Sequence, residues 1–87
     1  MSDTALRDAL LRAVLARPVI ADTMEDGLDV LTQRLGGDMP RAAIAAAVQD
    51  AVASGLVYEP VRLPPGALHC HWNLELTPSG QEVALRT

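Results

Sequence analysis

The chain has 87 residues, of which 49% are hydrophobic and 21% charged, and it carries a net charge of −4. That balance excludes a disordered or fibrous chain, and a length this short buries only about 60% of its unfolded surface, so one small domain of modest stability is expected. The lone cysteine, Cys70, excludes an intrachain disulfide, no apolar run approaches a membrane-crossing length, and Met1-Ser2-Asp3-Thr4 lacks a secretory pattern; the expectation is a soluble, cytoplasmic protein with no membrane partner.

The first predicted element is a helix over residues 4–17. Leu6, Leu10 and Val14 recur at i, i+4 and i+8, and Leu11 and Leu15 widen the same apolar stripe. Asp3 or Thr4 is positioned to cap its start, and Pro18 stops it. A second helix, residues 23–35, opens on Asp22-Thr23-Met24-Glu25, a relative of the capping box with Asp22 as the cap. Met24, Leu28, Leu31 and Leu35 give it an inward stripe, Gly27 interrupts it, and Gly36-Gly37 closes it. Asp22, Glu25, Asp26 and Asp29 crowd its first half, where negative charge complements the helix dipole. The third helix, residues 39–54, is expected to be capped by Asp38, with Pro40 in its first turn and Gly55 at its end. Ile44, Val48, Ala51 and Val52 form its inward side.

Beyond Gly55 the period changes to two, which predicts a hairpin over residues 56–76. Leu56 to Arg62 reads as one strand, restricted by Pro60 to an edge or a bulge. Pro64-Pro65-Gly66 is a turn. Leu68, Cys70, Trp72, Leu74 and Leu76 then alternate with His69, His71, Asn73 and Glu75, giving one apolar and one polar face. Thr77-Pro78 begins a short helix over residues 78–86 that carries Val83 and Leu85. The fold class is therefore α+β: a three-helix cluster, a β-hairpin and a short C-terminal helix. Tyr58 and Trp72 are the only aromatic residues, so the core must be aliphatic, and a core this small gains from self-association. A homodimer is expected.

This order of elements resembles a winged helix-turn-helix domain. The run Val48 to Val57, ending Ala53-Ser54-Gly55-Leu56-Val57, is similar to a third helix passing through glycine into a wing strand. Leu74-Glu75-Leu76-Thr77-Pro78-Ser79-Gly80 is similar to the exit from the wing in MarR-like and PadR-like regulators. The resemblance spans roughly residues 6–85 and implies a small DNA-binding transcriptional regulator. It places Arg41, Ala42, Ala45, Ala46 and Gln49 toward the major groove of double-stranded DNA, and Arg62 to Ala67 at the wing tip.

Charge argues the other way. There is no lysine, and the seven arginines (7, 12, 17, 34, 41, 62 and 86) are dispersed along the chain. DNA-binding domains usually concentrate cations on one face, because phosphate contacts release counterions. Alanine can touch a thymine methyl but cannot make the bidentate contacts that identify guanine or adenine. The same alanine face suits a protein partner, since small side chains allow another backbone to approach closely. Two readings stand at this point: a DNA-binding regulator, with Arg41, Gln49 and Arg62 as principal contacts, and an acidic protein-interaction module.

Other chemistry is sparse. His69 and His71 share the polar face of a strand and, with Glu59 or Glu75, would make a thin ligand set for zinc. Cys70 points to the opposite face with Leu68 and Trp72, the usual place of an inert, packed thiol. No phosphate-binding glycine loop, nucleophile elbow or paired carboxylate constellation occurs, so neither catalysis nor a cofactor is expected.

Overall fold

A computed structural model describes residues 3–62, Gly66 and residues 71–86, without the side chains of Asp3 and Arg62. Its elements are α1 (Asp3–Ala16), β1 (Val19–Ala21), α2 (Met24–Arg34), α3 (Arg41–Ala53), β2 (Val61–Arg62), β3 (His71–Leu74) and α4 (Pro78–Arg86). The three strands form one antiparallel sheet in the order β1-β3-β2. The class is α+β, with four helices and one small antiparallel sheet among the described residues.

The helices follow their apolar periodicity. Leu6, Leu10, Leu11 and Val14 of α1 meet Leu28 and Leu31 of α2 and Ile44, Ala47, Val48 and Ala51 of α3 in one buried cluster. Val19, Trp72 and Leu74 close that cluster from the sheet, and each large aliphatic side chain so buried contributes about 1.5–3 kcal/mol. Two residues assigned to the inward stripes lie outside it: Leu15 is 38% exposed and Met24 48% exposed. Both sit near a helix end, where the packed surface has run out.

The caps also differ from expectation. Thr23, not Asp22, is the N-cap of α2, and its Oγ1 accepts a 3.1 Å hydrogen bond from the Asp26 amide. Asp38 does not cap α3; the helix begins at Arg41, Pro40 takes the N-cap position, and no side chain bonds there. Asp38 lies two residues too early to reach the first free amides. Gly36 and Gly37 do close α2, both with positive φ, and their amides bond to Gln33 and Thr32 carbonyls.

β1 is an unanticipated element. Pro18 ends α1, and Val19-Ile20-Ala21 then pairs with β3 in the register Val19↔Leu74, Ile20↔Asn73, Ala21↔Trp72. The strand expected over residues 56–62 is interrupted. Val57 makes an isolated bridge to Leu76, the Tyr58 amide reaches the Glu75 carbonyl, and a regular ladder forms only at Val61 and Arg62. Pro60 has no amide to donate, but its carbonyl accepts from Asn73 at 2.9 Å. The long alternating strand is described from His71 onward; residues 68–70 of that expectation lie outside the described residues.

α4 is held to the exit of α3 by Thr77. Its hydroxyl donates to the Gly55 carbonyl at 2.6 Å and accepts from the Gly80 amide at 3.1 Å, while its own amide bonds the Leu56 carbonyl. Gly80 and Ala84 are the buried residues of α4, Val83 is half-buried, and Leu85 is 75% exposed.

A candidate interface on the third helix

The face of α3 away from the core is built by the helical period. With Ile44, Ala47, Val48 and Ala51 buried, Arg41, Ala42, Ala46, Gln49 and Asp50 turn to solvent. Ala45, which the family resemblance places in the same set, is half-buried and packs against the core. The exposed surface is therefore two alanines, one amide and two opposite charges.

Arg41 is already engaged. Its guanidinium forms an ion pair with Asp29 of α2, both side chains being about half exposed (52% and 51%). The contact sets Asp29 of α2 beside the start of α3, and Asp22, Glu25, Asp26 and Asp29 are all exposed. Arg7, Arg34 and Arg86 make their contacts elsewhere. Arg7 pairs with Asp8 and Arg86 with Glu82, while Arg34 donates to the carbonyl of Arg17 just past the end of α1. Burial, then the neighbouring charge of Arg17, pushes the Arg34 guanidinium below its ordinary value. The backbone of Arg62 stands opposite His71 at the sheet edge; its side chain and residues 63–65 of the wing tip lie outside the described residues, as does Ala67.

Next to the α3 face is a groove of about 430 Å³ that sequence reasoning did not anticipate. Leu6 and Ala47 form its buried floor with half-buried Met39 and Ala43, and Thr4, Asp50 and Ala46 of the outer α3 face stand at the rim. Five apolar side chains and a single carboxylate suit an apolar group carrying a positive charge beside it. The groove joins the start of α1 to α3 across nearly forty residues of sequence, so no local pattern announces it.

Of the histidine pair, His71 lies among the described residues. His71 is half-buried and its Nδ1 lies 3.6 Å from Asp22 Oδ1, an acid supplied by the turn after β1 and not by Glu59 or Glu75. His69 and Cys70 lie outside the described residues. Among the described residues no three His, Cys, Asp or Glu side chains are grouped to hold a metal ion. No described helix is long and apolar enough to cross a membrane. No family model, curated protein or solved structure matches the chain.

Proposed function

We propose that this chain is a winged-helix module that recognises another protein through the outer face of α3, and that it is a regulator without catalytic activity. Support for the fold comes from the order α1-β1-α2-α3-β2-β3, from a sheet ordered β1-β3-β2, and from a β2–β3 connection in the place of a wing. The observation that carries the function is the Arg41–Asp29 pair. It occupies the cation best placed to meet a phosphate, and it sets the carboxylate of Asp29 beside the face that would approach DNA. A duplex brought there meets carboxylates where it needs cations. A protein surface with basic and apolar groups meets complementary charge and small side chains that let it close in. We assign its work to the cytoplasm, which a single unpaired cysteine suits.

DNA is the second reading, favoured by the resemblance to MarR-like and PadR-like regulators and by the outward placement of Arg41 and Gln49. An exposed ion pair contributes only about 0–1 kcal/mol, so a phosphate could draw Arg41 from Asp29. Fluorescence anisotropy of a labelled, mixed-sequence duplex separates the two. The protein-recognition reading expects no binding at low salt, where nonspecific attraction is strongest. Binding that falls steeply with salt, by a slope that Arg41→Ala or Arg62→Ala reduces by about one, would establish the DNA reading instead.

A further inference from the structure

Two exposed parts of this chain have complementary chemistry. The groove between α1 and α3 has an apolar floor and one charge, Asp50, which makes no ion pair among the described residues. At the end of α4, Leu85 is 75% exposed and stands next to Arg86. Arg86 holds Glu82 one turn back through a 3.1 Å contact in which both side chains are about 70% exposed. An exposed pair of that kind exchanges readily for another carboxylate.

We propose that the occupant of the groove is the end of α4 from a second copy of this chain. Leu85 enters the floor between Leu6, Met39, Ala43 and Ala47, and Arg86 pairs with Asp50 at the rim. The inference rests on the protein-recognition reading and deepens it by naming the partner. Charge selects this end of the molecule. Two copies each carrying −4 repel, so their contact must set a cation of one against an acid of the other. Leu85–Arg86 brings the apolar group and the cation together on adjacent helix positions. Val61 also precedes an arginine but is less exposed, at 56%, and Ile20, equally exposed at 75%, is followed two residues on by Asp22, which would repel Asp50. A two-fold arrangement makes the same contact twice, as a closed dimer requires. Two such contacts form an interface at the small end of the range, so the dimer should be weak, with Kd on the order of 1–100 µM.

Sedimentation velocity of the full chain over a concentration series tests this directly. Wild type should exchange between monomer and dimer. Leu85→Asp should weaken the dimer at least about tenfold with an unchanged circular dichroism spectrum, because the side chain contributes little to the monomer's own packing. Asp50→Arg and Arg86→Asp should each weaken it similarly, and their combination should restore it to within about threefold of wild type. Val61→Asp, at another exposed apolar position, should leave it unchanged. A dimer indifferent to Leu85→Asp, a dimer lost with Val61→Asp, or a charge-swapped pair no better than its single variants would overturn the assignment. A wild-type chain that stays monomeric and ignores DNA would overturn the second copy as occupant while leaving a different protein as the partner. Salt-sensitive DNA binding would overturn the underlying reading itself.

Discussion

At the seam between α4 and the exit of α3, and again where α2 meets the sheet, glycine brings elements into contact that any side chain would hold apart. A Cβ on Gly80 would lie 1.8 Å from the Leu56 carbonyl oxygen, and one on Gly27 would lie 2.1 Å from the Trp72 ring. On the outer face of α3, Ala42 and Ala46 are equally small, yet they face solvent and touch nothing comparable. The chain thus uses small residues in two ways: inside, to let a fold with few aromatics close; outside, to leave a surface that another chain can approach. Only the inner set is required for folding.

Substitutions should separate the two sets cleanly. Gly80→Ala is expected to have the largest effect, because the obstructing atom is backbone and cannot rotate away. A loss above about 3 kcal/mol in urea unfolding, or failure to fold, is expected. A loss under about 1 kcal/mol would show that α4 can lift without penalty. Gly27→Ala should cost about 2–3 kcal/mol, since the Trp72 ring must shift, and the cost should shrink when Trp72→Leu is made alongside it. Equal costs in both backgrounds would mean that the ring is not the obstacle.

Thr77→Val keeps the shape but removes the hydroxyl that serves Gly55 and Gly80, and should cost about 1–2 kcal/mol. On the outer face, Arg41→Ala and Ala46→Ser should each change stability by less than about 0.5 kcal/mol. A larger loss from Ala46→Ser would place that residue in the folding set and blur the distinction between the two regions.

How legible these regions were differs for physical reasons. The helices announce themselves because leucine and valine spacing reports which face is buried, and Gly36-Gly37 and Gly55 mark where two of them end. Cap identity is less legible: Asp22 and Thr23 are both competent caps, and only the path of the backbone after β1 decides for Thr23. β1 itself has three residues, too few for alternation to register, and it forms because β3 offers it an edge. Gly27 reads in sequence as a weak point in α2, whereas in the fold it is the seat of Trp72. The α3 face was legible as far as the helical period carries it, and Ala45 escaped because alanine gives no indication of how deeply it sits. The groove, the Asp29–Arg41 pair and the Asp22–His71 contact were not legible. Each joins elements whose approach depends on the packed core and not on neighbouring residues.

The most direct test of the central claim is a two-dimensional amide NMR spectrum of the chain titrated with a mixed-sequence duplex at low salt. If the outer face of α3 is built for protein and not for DNA, the amides of Ala42, Ala46 and Gln49 should stay unmoved through a severalfold excess of duplex. Shifts at those three amides that fade as salt is raised would contradict the account and make α3 a DNA-contacting helix.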